Sequence, residues 1–123
     1  MLFNRNIILE VLRSNFAKNI KEFVDKCVMG WDDLDLDDFF EEAVDFASLD
    51  SVEEMTIEEY NVEDENSGQV VDGICEITVS VNGFIKAGED VAYRDTQIAV
   101  LGIGFSFYVE NDKFSDMELE YLY

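Results

Sequence analysis

Apolar residues near the start of the chain recur every three or four positions, the spacing of one face of an α-helix. This spacing predicts a helix over about residues 5–29. Asn4 or Asn6 can serve as its N-cap, and Gly30 provides a C-terminal stop. The predicted inward stripe consists of Ile8, Leu12, Phe16, Ile20, Phe23, Val24 and Cys27.

A second, shorter apolar stripe follows an Asp-rich turn and predicts a helix over about residues 36–47. Asp33 or Asp35 can cap this helix, because an aspartate oxygen accepts hydrogen bonds from the free N–H groups of a first turn. The expected inward residues are Leu36, Phe40, Ala43 and Ala47.

After Asp50 the apolar period changes to 2, which is typical of β-strands with one buried face. Asn66–Gly68 and Asn111–Asp112 are turn signals that separate successive strands. Four strands are predicted, over about residues 54–63, 70–85, 96–110 and 114–122.

The first predicted strand contains a shift in its pattern. The inward set changes from Met55 and Ile57 to Tyr60 and Val62, which indicates a β-bulge between the two pairs.

Helices that precede a run of strands predict an α+β fold. Two N-terminal helices are expected to pack on a four-stranded, mainly antiparallel sheet. The length of 123 residues and the lack of a long linker predict one domain over residues 1–123. Gly102 and Gly104, in the most apolar strand, suggest close packing against a helix or a bulge.

Charge is distributed very unevenly along this chain, whose net charge is -21. No Lys or Arg occurs from Cys27 to Ile85, whereas eighteen acidic residues do, and sixteen of these lie between Asp32 and Glu65. An apolar content of 48% with 13% aromatic residues excludes a disordered acidic tail. Self-repulsion of this size destabilises a compact state, so the acidic run favours a role in meeting something positive.

Several kinds of chemistry are excluded by residues that the chain lacks. It has no histidine, which removes His-dependent nucleophilic catalysis and His-ligated zinc. Its two cysteines fall in different elements, and it has no Gly-rich phosphate loop. A basic face for nucleic acid is also excluded. We therefore expect a protein that is not an enzyme and uses no cofactor and no metal.

Two acidic sites remain to be weighed against this view. The sequence from Asp33 to Asp37 imitates the start of a calcium loop, but Asp38 replaces the glycine of that loop and Val44 replaces its final glutamate. A magnesium-dependent nuclease would need a lysine among carboxylates. Lys86 and Lys113 are the only lysines in the β half, and neither lies in an acid-x-Lys pair.

The compartment expected from the sequence is the cytoplasm. Both cysteines fall on apolar stripes, as free thiols in a reducing compartment do. The N-terminal segment shows neither a secretory h-region nor an eighteen-residue apolar span.

The acidic residues have a spacing that suits a phosphate-like array. Acids three or four apart on a helix stand about 5–6 Å from one another. Alternate residues on a strand lie roughly 6.5–7 Å apart, so outward residues such as Glu54, Glu58 and Glu63 can form a row. The pitch of phosphates along one DNA strand is comparable.

In charge density, size and clustering of acids, the chain resembles the small acidic DNA-mimic proteins, many carried by phages, that block restriction enzymes or CRISPR effectors. The resemblance has no diagnostic motif. It implies a stoichiometric inhibitor that competes with nucleic acid for a positively charged site on a nuclease or defence complex. It also implies that the expected cytoplasm is that of a bacterium or of a phage-infected host cell. The predicted partner-binding residues are Asp32, Asp33, Asp35, Asp37, Asp38, Glu41, Glu42, Asp45, Glu53, Glu54, Glu58, Glu59, Glu63, Asp64 and Glu65.

Two alternatives share most of this electrostatics. One is an immunity protein or antitoxin that caps a basic nuclease toxin, for which Trp31, Phe39 and Tyr60 would be the aromatic anchors. The other is an acidic assembly subunit that binds a basic partner protein. In each case the partner is a protein, and neither nucleic acid nor a membrane is bound directly.

Overall fold

The computed structural model describes residues 2–123, which form three N-terminal helices followed by four strands. The strands form one antiparallel sheet in the order β1-β2-β3-β4, each paired with its predecessor in the chain. This architecture confirms the predicted α+β fold. The elements are α1 Arg5–Asn15, α2 Ala17–Met29, α3 Asp33–Phe39, β1 Phe46–Glu65, β2 Gly68–Ala87, β3 Asp90–Glu110 and β4 Lys113–Tyr121.

The predicted N-terminal helix is divided at Phe16 into α1 and α2. Phe16 has non-helical backbone angles (φ -125°, ψ 14°), and its ring lies 5.6 Å from the ring of Phe107 in β3. The apolar stripe continues through the break, so that Leu12 and Ile20 on either side of it are both buried. Asn4 caps α1, since its Oδ1 accepts a hydrogen bond from the Ile7 N–H.

Helix α3 lies earlier and is shorter than the predicted helix over residues 36–47. Its N-cap is Asp32, which forms a capping box with Asp35. The helix ends at Phe39, and pairing with β2 begins at Phe46, whose ring stacks on Phe84. Sheet pairing therefore overrides the helical pattern.

Two of the residues expected to face inward from that helix illustrate the change. Ala43 lies in the connection after α3 and is exposed, contrary to the prediction. Ala47 is buried as predicted, but as a residue of β1.

Strands β1, β2 and β3 are longer than predicted, because β1 begins already at Phe46 and the hairpins extend to their turns, whereas β4 has the predicted length. Asn66, Asn111 and Asp112 have positive φ of 54°, 51° and 60°, which suits tight turns of this kind. Residues 86–95, between the second and third predicted strands, are part of the β2–β3 hairpin.

The core lies between the helices and one face of the sheet, and it includes Val24, Leu36, Ile77, Leu101 and Phe107. Side chains alternate along the strands, so every second residue points to the other face. We call this second face, which carries no helix of residues 2–123, the open face.

Gly102 and Gly104 lie on the open face, so the expected packing against a helix was wrong. A Cβ added at Gly102 would come within 2.4 Å of the ring of Tyr123. The backbone of Gly102 also donates to the Tyr123 carbonyl and accepts from Leu122. The C-terminal segment therefore occupies the space that this glycine leaves.

We expect the two free thiols to react at very different rates. Cys27 is half-buried, whereas Cys75 is buried and its thiol donates to the Ile103 carbonyl. Burial raises the pKa of Cys75 to about 11, so little thiolate forms near neutral pH. N-ethylmaleimide at about pH 8 should modify Cys27 first and Cys75 only as the protein opens. Cys27→Ser should remove the fast phase, and a remaining fast phase would show that Cys75 is accessible.

Candidate functional site

The predicted partner-binding acids lie at the surface. All of them are exposed except Asp35, which is half-buried in the capping box of α3. Among residues 2–123 there are only two ion pairs within 4 Å, Arg94–Glu42 and Lys18–Glu22. Glu42 is therefore the one predicted residue with a paired counter-charge, and the others meet solvent.

The acids near α3 are not arranged as predicted. Asp38 lies on α3, but Glu41 and Glu42 follow its end, so these three acids do not have the expected helical spacing. Asp45 has a structural contact, because its Oδ2 accepts a hydrogen bond of 2.6 Å from the Lys86 N–H. This carboxylate ties the start of β1 to the end of β2.

Strand β1 carries three bulges, and each inserts one acidic residue. The register with β2 skips Asp50, Glu53 and Glu58. The bulge at Glu58 confirms the one indicated by the sequence pattern, whereas the other two were not predicted. A bulge sets two residues of one strand opposite one residue of its neighbour, which bends the strand and re-aims its side chains.

The bulges explain how acidic doublets avoid the core. Strict alternation would turn one member of Glu53–Glu54 and one member of Glu58–Glu59 towards the helices. Instead all four carboxylates are exposed, while Met55 and Ile57 between them are buried. The strand thus keeps its apolar contacts and still places both acids of each doublet at the surface.

Arg5 of α1 holds the bulge at Glu58. Its Nε donates to the Ile57 carbonyl and its Nη2 to the Glu58 carbonyl, both at 3.2 Å. The guanidinium also lies over the ring of Tyr60, 5.7 Å from the centroid. These contacts satisfy carbonyl groups at the point where the ladder is interrupted.

The open face adds acidic residues that the sequence prediction missed. Glu59, Ile74, Gly104 and Glu120 form one row across the sheet. The next row consists of Asn61, Asp72, Ser106 and Glu118.

These rows surround a shallow concavity of about 390 Å³ whose carboxylates are Glu59, Asp72, Glu118 and Glu120. Alternation in β2 and β4 predicts that such acids point outward. Their convergence with β1 depends on the strand order, which no local pattern gives.

The phenol of Tyr123 lies close to carboxylates of the open face. Its hydroxyl donates to Glu76 Oε2 at 3.3 Å. Desolvation of the phenol raises the pKa of Tyr123, and the carboxylates of Glu76, Glu58 and Glu59 raise it further. A phenolate is disfavoured here because the nearby charges have its own sign.

Basic residues of the helices lie on the other side of β1. Arg13 and Lys21 line a groove of about 430 Å³ together with Asp50, Glu53 and Glu54. No ion pair within 4 Å forms there among residues 2–123. The helices thus place positive charge near the helix side of β1, while the two rows around the concavity contain no Lys or Arg.

The aromatic residues suggested as anchors belong mainly to the interior. Trp31 is buried and stacks on Phe39, with ring centroids 4.4 Å apart. Phe39 and Tyr60 are half-buried against the core. Exposed apolar side chains lie instead on β3, at Ile98 and Val100.

No protein-family model, curated protein or solved structure matches this chain. Within residues 2–123, no group of three or more Cys, Asp or Glu side chains is placed to hold a metal ion. In the same described part, each helix is too short or too polar to cross a membrane.

We expect Arg5→Gln to destabilise the protein, because it removes hydrogen bonds to two carbonyls at a bulge. The loss should be about 1–2 kcal/mol of unfolding free energy in urea denaturation. Arg13→Gln removes the same charge from an exposed residue of α1 and should change stability by less than about 0.5 kcal/mol. Equal losses in the two variants would show that charge, rather than the bulge contact, is what matters.

We expect salt to stabilise this protein. Because most acids lack an ion-pair partner, screening should relieve repulsion and raise Tm between about 0.02 M and about 0.5 M NaCl. A charge-reversed variant of lower net charge should show a smaller rise. A Tm that falls as salt is added would mean that attractive pairs dominate.

Proposed function

We propose that this protein is a nucleic-acid-mimic inhibitor, which occupies a positively charged nucleic-acid-binding site on a nuclease or defence complex. The single observation that carries the proposal is that three bulges expose the acids of β1, none of which forms an ion pair within 4 Å among residues 2–123. A merely soluble surface requires neither feature, since ordinary surfaces intersperse both signs of charge.

The acidic edge has dimensions suited to a nucleic-acid channel. Strand β1 has 20 residues, so at a rise of about 3.3 Å each it is about 60 Å long. At about 3.4 Å per base pair, this length equals that of roughly 18 base pairs of duplex. The acids of the open face widen the negative surface beyond the single strand.

The charge also determines what the surface excludes. Phosphates would be repelled by the acids of β1 and of the open face, so direct binding of nucleic acid is not expected. Lysines and arginines that line a nucleic-acid channel would instead be attracted. Steered encounter of this kind is fast at low salt and weakens as salt is added.

Binding should be distributed over many weak contacts. Removal of one exposed charge, as in Glu63→Gln, should weaken binding by no more than about 1 kcal/mol. Reversal of several charges should have a much larger effect, because each new lysine also repels the basic site.

The decisive test compares two variants with equal net charge. The first reverses Glu54, Glu58, Glu59 and Glu63 to Lys on β1. The control reverses Glu10, Glu22, Glu89 and Asp90, which are exposed residues elsewhere. Tagged proteins would capture partners from a nuclease-treated bacterial lysate at low salt, with duplex DNA or RNA then added as competitor.

The proposal predicts that the natural protein and the control capture a nucleic-acid-binding protein that added DNA or RNA displaces. The β1 variant should capture none of it. A partner resistant to salt and unaffected by nucleic acid would contradict mimicry and indicate an immunity or assembly protein. Equal loss of capture in both variants would show that net charge alone is responsible.

A further inference from the structure

The two edges of the sheet are protected to very different degrees. Edge strand β1 has three bulges with an acid in each, which are features that hinder further strand pairing. On the other side, β4 pairs with β3 only from Ile103 to Glu110. Among residues 2–123, no strand pairs with Thr96–Leu101 on that side.

The free segment of β3 has backbone groups that pair with no further strand among residues 2–123. Gly102 directs both its N–H and its C=O towards the C-terminal segment, where they bond to Tyr123 and Leu122. Backbone direction alternates along an antiparallel strand, so Ile98 and Val100 direct their N–H and C=O groups to the same side. The Thr96 N–H is already taken by Asp95 Oδ1.

The same segment has the side chains of a pairing strand. Thr96–Leu101 contains no charged residue and no glycine or proline, although 30% of the chain is charged. Ile98 is 60% exposed and Val100 is 50% exposed, both on the open face. Edges that must remain unpaired usually carry a lysine, a proline or a bulge. Thr96–Leu101 carries none of these, and the one bulge of β3 against β2 lies before it, at Arg94.

The negative charge of this protein favours a basic chain, rather than a second copy, as the strand that pairs with Thr96–Leu101. Pairing with a second copy would bring together two chains that each carry a net charge of -21. A strand added beside β3 would also lie about 10 Å from Glu76, two strand spacings away, with Asp95 at its end. Those acids repel another copy and attract lysine or arginine side chains.

We propose that the Thr96–Leu101 edge of β3 binds an extended, Lys- or Arg-bearing segment of a basic protein, which adds as a fifth strand. The backbone of Ile98 and Val100 supplies the pairing hydrogen bonds, and their side chains contact apolar residues of the added segment. The proposal rests on the proposed function only for the positive charge of the partner. It assigns the partner a defined point of attachment beside the diffuse acidic surface.

The probe for this proposal is a synthetic peptide of about nine alternating Lys and Val residues, since alternation suits a strand. The control peptide replaces each Val with Pro, which keeps the charge but cannot pair. Amide hydrogen exchange measured by NMR would be followed on the isotope-labelled protein with each peptide. Slower exchange of the Ile98 and Val100 amides with the Val peptide alone is the expected result.

Two variants test the same edge through affinity. Ile98→Lys with Val100→Lys should weaken binding of the Val peptide by at least about tenfold. Met29→Lys with Leu34→Lys adds equal charge at exposed helical positions and should change affinity by less than about threefold. Val100→Pro removes one edge N–H without a new charge and should likewise abolish the exchange protection of the Ile98 amide.

Each contrary result overturns the proposal. Protection confined to β1, or equal protection by both peptides, would mean that binding is purely electrostatic. Protection that rises with protein concentration without peptide, together with a doubled mass in sedimentation, would identify a second copy as the occupant. If the protein captured no partner from lysate but the Val peptide still protected the Ile98 and Val100 amides, nucleic-acid mimicry would be contradicted and binding at this edge would be supported.

Discussion

The structure depends on reconciling apolar burial in β1 with the acids that flank each buried residue. A regular strand cannot do this, because neighbouring residues must point to opposite faces. An acid turned into the core would lack a partner, and burial of an unpaired charge is far more costly than an interrupted ladder. Inserting Asp50, Glu53 and Glu58 as extra residues allows Met55 and Ile57 to stay buried.

The helices pack on only one face of the sheet, and there they also bring positive charge near the acids of β1. They bury an apolar stripe on the sheet, and their cations Arg13 and Lys21 lie near the helix side of β1. Arg5 replaces the missing ladder contacts at one bulge. The two rows around the concavity of the open face contain no Lys or Arg, and Lys86 and Lys113 lie at the hairpin ends of that face. This asymmetry is the basis on which we propose a basic partner for the open face.

Residue periodicity predicted the fold class and the order of helices and strands, because most buried positions lie on regular stripes. It also indicated the bulge after Ile57, where the inward residues change from odd to even positions. It failed at α3, where local helical spacing over 36–47 competed with pairing of Phe46 to Phe84. Pairing between distant residues is not contained in a local period.

The candidate site was predictable in the same partial way. The concentration of acids from Asp32 to Glu65 is visible in the composition, and their exposure follows from it. The contribution of Asp72, Glu118 and Glu120 was missed because it requires β2 and β4 to flank β3. The unpaired part of β3 was likewise visible only once the shortness of β4 was known.

The Arg5 contact has a consequence for how the acidic surface comes into being. It joins residues 52 positions apart, so it cannot form while the N-terminal helix and β1 remain separate. Contacts of such long range bear a large loop-closure entropy and tend to slow folding. The final geometry of the Glu58–Glu59 doublet is therefore acquired together with docking of α1. A newly made chain would carry all its negative charge before it carries the arrangement of that charge.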